Sequence, residues 1–181
     1  MRLILASASP RRRELIGRIT DDFIVVPCDV REISTGSPEA VAVCNSRMKA
    51  AAVAGRRLGT VLGADTVVAV QGRILGKPAD GADALDMLRT LRGRSHEVIT
   101  GVTLADGNRM ASAAEKTLVT FGDIPDDVIN AYVASGKSYG KAGAYGIQDD
   151  EIGRFAVLQG DLFNVVGLPV ALVKKLMKEF R

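Results

Sequence analysis

Three consecutive arginines follow a proline at the start of a predicted helix, within the stretch "ASASPRRREL". Ser9 is a typical N-cap, and Pro10 is a typical first helical residue. Arg11 and Arg12 therefore fall in the first turn, where the helix dipole disfavours exposed cations by about 0.3–1 kcal/mol each. A bound phosphate would remove this conflict, because guanidinium groups and free backbone N–H groups both bind phosphate oxygens. A solvated arginine cluster is the alternative.

One carboxylate interrupts a predicted strand that is otherwise apolar. Asp65 lies within "VLGADTVVAV", a run typical of a buried strand. A buried carboxylate is costly unless it is paired, binds a metal or faces a cleft, so Asp65 is a candidate functional group. The alternative is an aspartate that hydrogen-bonds its own turn next to Gly63.

Two loop carboxylates and two lysines are further candidate site residues. Asp29 and Glu32 lie in a predicted loop, Lys49 lies on the helix that follows, and Lys77 lies in a Gly-Lys-Pro turn. Loop carboxylates commonly face solvent, but these could instead hold a hard cation. Because the chain has one histidine and no cysteine cluster, such a metal would be oxygen-bound Mg²⁺ or Mn²⁺ rather than zinc.

A glycine-rich segment, "YGKAGAYGIQDD" at 139–150, is a candidate ligand-binding loop. Its small residues let the backbone approach a ligand closely. Gln148 carries both a donor and an acceptor, which suits the edge of a nucleobase. A mobile surface loop is the alternative.

The apolar pattern predicts a mixed α/β fold, in which one sheet is flanked by helices. At 181 residues the chain fits a single domain, 1–181, with two lobes that share the sheet. Asp106-Gly107-Asn108 and Gln159-Gly160-Asp161 each predict a hairpin. The longer predicted strands are 2–6, 22–27, 60–70, 95–106 and 109–121, and the predicted helices are 10–18, 38–54, 80–92, 125–135 and 169–180.

Composition and missing motifs exclude several classes of protein. A net charge of +3, 4% aromatic residues and no tryptophan argue against a nucleic-acid-binding protein. The sequence contains no P-loop, no dinucleotide fingerprint and no nucleophile elbow to pair with His96, its one histidine. No apolar run is long enough for a membrane span or a signal peptide, so we expect a cytoplasmic protein. Cys28 and Cys44 are expected to be small buried hydrophobes.

Taken together, the motifs resemble those of the Maf family of nucleotide pyrophosphatases. They are "LASASPRRREL", "SPEAVAVCNSRMKA", "LGADTVV", "GKP", "HEVITGV", "KAGAYGIQ" and "NVVGLP", in family order over nearly the whole chain. The resemblance implies a fold similar to that of inosine-triphosphate pyrophosphatases, with a long mixed sheet below a two-lobed cleft. It also implies a homodimer that hydrolyses a nucleoside triphosphate to monophosphate and pyrophosphate with a divalent metal.

The resemblance also assigns roles to residues. Asp65 matches the catalytic proton acceptor, and Asp65 and Glu32 are expected to hold Mg²⁺ or Mn²⁺. The expected phosphate-binding residues are Ser7, Ser9, Arg11, Arg12, Lys49 and Lys77.

Three positions are similar to the branch of the family that prefers dTTP and UTP, namely Arg11, Thr66 and Gln148. The chain departs from the family pattern after the glutamine, where "GIQDD" replaces "GIQG" and places Asp149 and Asp150 beside the expected base pocket. Methylated GTP or a damaged purine triphosphate is the alternative substrate. From another class, septum inhibition through a protein partner is the alternative function.

Overall fold

One mixed sheet runs through the computed structural model, which describes residues 2–55 and 59–180. Within those residues its seven strands follow the order β2-β1-β3-β5-β6-β7, and β4 pairs with β3 outside this path. β1 is parallel to β2 and β3, and the other pairs are antiparallel. The strands are β1 (Leu3–Ala6), β2 (Phe23–Val25), β3 (Thr60–Val70), β4 (Arg73–Leu75), β5 (Ser95–Asp106), β6 (Arg109–Phe121) and β7 (Ala156–Gln159). The predicted mixed α/β fold is confirmed.

The predicted helices are also present, and their ends differ from the predictions by no more than two residues. Ser9 caps the first helix as predicted, because its hydroxyl accepts a hydrogen bond from the backbone N–H of Arg12. Two short helices, α5 and α6, were not predicted. The helices are α1 (Pro10–Ile16), α2 (Pro38–Ala54), α3 (Gly81–Leu91), α4 (Asp126–Ala134), α5 (Asp150–Gly153), α6 (Leu162–Val166) and α7 (Val170–Glu179).

The predicted hairpin around Gln159-Gly160-Asp161 is wrong. A turn does occur there, with Gly160 at a φ of 133°. However, β7 on one side of the turn pairs with β6, and the chain on the other side forms α6. The Asp161 side chain accepts a hydrogen bond from the N–H of Phe163 and so begins that helix. The hairpin around Asp106-Gly107-Asn108 is confirmed by the pairing of β5 with β6.

Apolar residues cover both faces of the sheet. Successive side chains of a strand point to opposite faces, so β3 contributes to both. On one face, Val61 and Val67 pack against residues of α2. On the other face, Leu62 and Val68 belong to clusters that α3, α4 and α7 complete. Asp65 therefore lies on the α2 face, and Thr66 lies on the opposite face.

Helix α2 packs directly on the backbone of β3 and β5. A methyl group at Gly101 would overlap the carbonyl group of Ala42, and one at Gly63 would overlap the carbonyl oxygen of Ser46. The two glycines thus bring α2 closer to the sheet than any larger residue would allow. This approach places Lys49 of α2 over the part of β3 that carries Asp65.

Candidate active site

A gap along one edge of β3 creates the candidate site. On that edge, residues 60–63 pair with β1 and residues 68–70 pair with β4. The pairings of the described chain leave residues 64–67 without a strand on this side, while β5 pairs with the other edge. Asp65 and Thr66 lie in this gap and point to opposite faces, so a ligand at the gap can contact both.

A cavity of about 560 Å³ lies at this gap. The start of α1, the loop before α2, the turn after β4 and the glycine-rich loop all contribute to its walls. Every residue that the sequence predicts for the site lines the cavity: Ser7, Ser9, Arg11, Arg12, Glu32, Lys49, Asp65, Thr66, Lys77 and Gln148. Their individual roles stay predictions.

On the α2 face, one ammonium group joins two carboxylates. Lys49 Nζ lies 2.6 Å from Glu32 Oε1 and 2.6 Å from Asp65 Oδ1, and Lys77 Nζ lies 3.5 Å from Glu32 Oε2. Burial disfavours the charge of Glu32. The hydrogen bond and charge of Lys49, with those of Lys77, outweigh this effect, and the pKa of Glu32 falls below its ordinary value. These residues therefore form one charged cluster, which we call the carboxylate cluster; it consists of Glu32, Asp65, Lys49 and Lys77.

The carboxylate cluster fits the predicted metal. Glu32 and Asp65 each have an oxygen 2.6 Å from the same Lys49 nitrogen, so the two carboxylates converge. No group of three acidic, histidine or cysteine side chains that could hold a metal occurs in 2–55 or 59–180. Mg²⁺ is commonly held by one or two carboxylates while substrate phosphates and waters complete its shell. Glu32 and Asp65 would be the protein ligands of such an ion, and substrate phosphates and waters would complete its shell.

Asn45 is a site residue that the sequence analysis missed. Its side chain is buried, and its amide nitrogen donates to Asp65 Oδ2 at 2.9 Å and to the carbonyl of Ile33 at 3.0 Å. Its amide oxygen accepts from the N–H of Ile33 at 2.9 Å. Asn45 therefore orients Asp65 and also fastens the loop that carries Glu32. Asn45 lies inside the motif "SPEAVAVCNSRMKA", but its partners Ile33 and Asp65 are 12 and 20 positions away, so the motif alone does not indicate these contacts.

Substitution of Asn45 by leucine tests this link. Leucine has a similar volume but forms none of the three hydrogen bonds, so we expect faster amide exchange across residues 30–35 and a roughly tenfold lower kcat. Ser46→Ala is the matched control, because Ser46 is equally buried on α2 but bonds Thr103, away from the cavity. Unchanged exchange in Asn45→Leu would contradict the link.

On the opposite face, two hydrogen bonds to the protein hold the guanidinium of Arg12. Its Nε donates to the carbonyl of Gly167 at 2.8 Å, and one terminal nitrogen donates to the hydroxyl of Thr66 at 2.9 Å. Thr66 in turn shares a hydrogen bond with Thr100. Burial lowers the pKa of Arg12 and the charge of Asp65 opposes this effect, but a guanidinium stays protonated in proteins. Thr66 thus contacts Arg12 directly.

The glycine-rich loop is anchored to the sheet through His96. His96 Nε2 lies 2.7 Å from the hydroxyl of Tyr145, and both side chains are buried beside Phe121. Tyr145 also lines the cavity, as do Val68 and Val98. The loop therefore adds an apolar wall, and Gln148 contributes a polar group to the same cavity.

Burial of His96 makes the fold sensitive to acid. Burial lowers its pKa to about 4, whereas an unfolded histidine has a pKa near 6.5. Between these values the unfolded state binds the extra proton, so stability falls by up to about 3 kcal/mol as the pH drops from 7 toward 4. The His96→Gln substitution removes the titrating ring and supplies an amide that can hydrogen-bond to Tyr145. Urea unfolding of wild type and His96→Gln from pH 7 to 4.5 should give a flatter pH dependence for the variant, and equal slopes would contradict this.

The cysteines differ from the sequence prediction in one respect. Cys28 is half-buried in the cavity wall, but Cys44 is exposed on α2 and is not a buried hydrophobe. Both are free thiols. Burial raises the pKa of Cys28, which keeps it protonated and a poor nucleophile at neutral pH.

None of the described helices is both long enough and apolar enough to cross a membrane.

The fold belongs to a known structural class. The solved structure of the Ham1 protein of Staphylococcus aureus is similar, with a TM-score of 0.51 over 68% of this chain and 73% of that chain. The two sequences are 17% identical over this region, so the likeness concerns the fold. The Ham1 protein therefore shares the fold of this chain, and the predicted long mixed sheet flanked by helices is confirmed.

The family is defined by sequence comparison. The family model described as "Maf-like protein" matches residues 2–180, and the chain therefore belongs to this family. A dTTP/UTP pyrophosphatase of Thermococcus gammatolerans is 46% identical over 175 residues, which cover 96% of this chain and 94% of the relative. A dTTP/UTP pyrophosphatase of Carboxydothermus hydrogenoformans is 45% identical over 184 residues, 99% of each chain.

Proposed function

We propose that this chain is a nucleoside triphosphate pyrophosphatase that hydrolyses dTTP and UTP to the monophosphate and pyrophosphate. The relatives named above support the reaction and the substrates. The observation that carries the proposal is the gap in β3, where a carboxylate cluster and Arg12 share one cavity with the glycine-rich loop. The triphosphate lies across the gap, with its phosphates between Asp65 and the cations.

Asp65 is the proton acceptor of the proposed reaction. Its carboxylate takes a proton from a water molecule, whose oxygen forms a bond to the α-phosphorus. The bond from that phosphorus to the bridging oxygen breaks, and pyrophosphate leaves with the bonding electrons. Lys49 and Asn45 each occupy one oxygen of Asp65, which fixes the carboxylate and still leaves lone pairs for the water.

Cations around the cavity stabilise the negative charge that develops on the departing pyrophosphate. The expected phosphate ligands are Arg11, Arg12, Lys49 and Lys77, with Ser7 and Ser9 as hydrogen-bond donors. Arg12 needs little reorganisation because Gly167 and Thr66 hold its guanidinium in place. A charge that is already oriented stabilises the transition state most effectively. A divalent ion held by Asp65 and Glu32 would supply further charge neutralisation of the phosphate oxygens.

Pyrophosphate release tests the proposal. We would measure it with dTTP, UTP, CTP, methylated GTP and dITP, each with Mg²⁺, with Mn²⁺ and with a chelator. The highest kcat/KM for dTTP and UTP, and loss of turnover with chelator, would support it. Preference for a purine triphosphate would overturn the substrate assignment. Full activity in the presence of chelator would overturn the proposed dependence on a divalent metal.

The resemblance to the family also supports a cytoplasmic homodimer of one two-lobed domain. Sedimentation of the purified chain measures its oligomeric state. A role in septum formation through a protein partner stays a prediction from the resemblance alone.

A further inference from the structure

A second charged cluster lies next to the predicted base-reading residue. Asp149 Oδ2 accepts hydrogen bonds from the ammonium of Lys141 and, at 2.6 Å, from the hydroxyl of Tyr132. The other oxygen, Oδ1, accepts from the amide nitrogen of Gln148 at 3.2 Å. These contacts do not involve the carboxylate cluster, and none of the phosphate chemistry uses them.

The surroundings hold the Gln148 side chain against the loop. A methyl group built on Gly146 would overlap the Gln148 amide nitrogen and would come within 2.8 Å of Asp149 Oδ2 and 3.0 Å of Lys141 Nζ. The absence of a side chain at Gly146 therefore leaves the space in which these three polar groups meet. Although Gln148 borders open solvent, its amide is packed over the backbone on one side and bonded to Asp149 on the other.

The contact with Asp149 fixes which end of the amide faces the carboxylate. Burial disfavours the charge of Asp149, but hydrogen bonds from Lys141 and Tyr132 outweigh it, and the pKa of Asp149 falls below its ordinary value. The group is therefore ionised at neutral pH and can only accept hydrogen bonds. The nitrogen of Gln148 must then face Asp149, because its oxygen would be repelled. The Gln148 oxygen and the second N–H remain for a ligand in the cavity.

We propose that Asp149 is a positioning residue that makes the site select uracil and thymine over cytosine by setting the orientation of the Gln148 amide. This inference rests on the proposed function and names the basis of its substrate choice. The free oxygen of Gln148 accepts the N3–H of uracil or thymine, and its free N–H donates to the adjacent ring carbonyl. Cytosine has an acceptor at N3 and a donor at position 4, so the same amide meets it with both groups mismatched.

The Asp149→Asn substitution should reverse the preference. The Asn oxygen has to accept from Lys141, because an ammonium group can only donate hydrogen bonds. The new amide nitrogen then faces Gln148 and turns its oxygen toward residue 149. The cavity is left with a donor where it had an acceptor, which matches N3 of cytosine. We expect the ratio of kcat/KM for UTP to that for CTP to fall by roughly tenfold or more, the effect of one gained or lost hydrogen bond.

Two further variants complete the test. Asp149→Ala releases the Gln148 amide, so the ratio of kcat/KM for UTP to that for CTP should move toward one without reversal. This variant also serves as the test if Asp149→Asn does not fold. Glu151→Gln is the matched control, because Glu151 lies on α5, two residues after Asp149, and pairs with Lys137 but does not contact Gln148. Its ratio should equal that of wild type.

The outcomes separate this inference from the proposed function. A wild-type enzyme that uses neither UTP nor CTP would overturn both. A wild-type preference for UTP that persists in Asp149→Asn and Asp149→Ala would overturn the positioning role alone and leave the pyrophosphatase assignment intact. A loss of thermal stability with an unchanged ratio would likewise assign Asp149 a structural role and overturn the inference.

Discussion

Asp65→Asn should lower kcat for pyrophosphate release from UTP by roughly 10²–10⁴-fold, the usual effect of removing a general base. The substitution preserves size, and the amide oxygen of the variant can still accept from Lys49. However, an amide cannot take a proton from water. UTP binding, measured by calorimetry during the slow turnover of the variant, should therefore persist while kcat collapses.

Asp106→Asn is the control for the Asp65 experiment. Asp106 ends β5, is exposed and lies outside the cavity walls, so its kcat should equal that of wild type. A variant at position 65 that keeps more than a tenth of wild-type kcat would remove Asp65 from the role of proton acceptor.

Lys49→Met should have the second largest effect, on both stability and rate. The substitution leaves two converging carboxylates without the ammonium between them. Breaking a fully buried ion pair typically costs 3–5 kcal/mol. Because about a third of the Glu32 side chain is exposed, 36%, we expect a smaller loss of unfolding free energy, about 2–3 kcal/mol. Chemical denaturation measures this loss, and kcat should fall in the same variant.

The same substitution at an exposed ion pair is the control. Lys116→Met removes a contact with Glu97 in which the two side chains are 60% and 42% exposed, so its cost should stay below about 1 kcal/mol. Equal losses for the two variants would show that the carboxylate cluster is no more strongly coupled than a surface pair.

Local signals in the sequence predicted those parts of the site that depend on nearby residues. Ser9 and Pro10 began α1 as expected, and the lone carboxylate in an apolar strand indicated Asp65, which lies in β3 and lines the cavity. The bounds of α2 were predicted as observed, and Ser37 and Pro38 begin it, although its buried face carries Asn45, Ser46 and Lys49 beside apolar residues. The signals that begin α1 and α2 are formed by adjacent residues.

Contacts between distant residues could not be predicted in this way. Asn45 and Asp65 are 20 positions apart, and Tyr132 and Asp149 are 17 apart, so no short pattern links them. The gap in β3 depends on where β1 ends and β4 begins along the same edge, which only the pairing defines. The error at Gln159-Gly160-Asp161 has a similar cause, since a turn signal does not specify whether a strand or a helix comes after the turn.

At Gly63 and Gly101 no side chain separates the backbone of α2 from the sheet. The contact between Lys49 and Asp65 therefore depends on how closely α2 lies on β3. A substitution that moved α2 away from the sheet would thus separate Lys49 from Asp65 and loosen the packing of the fold at the same time.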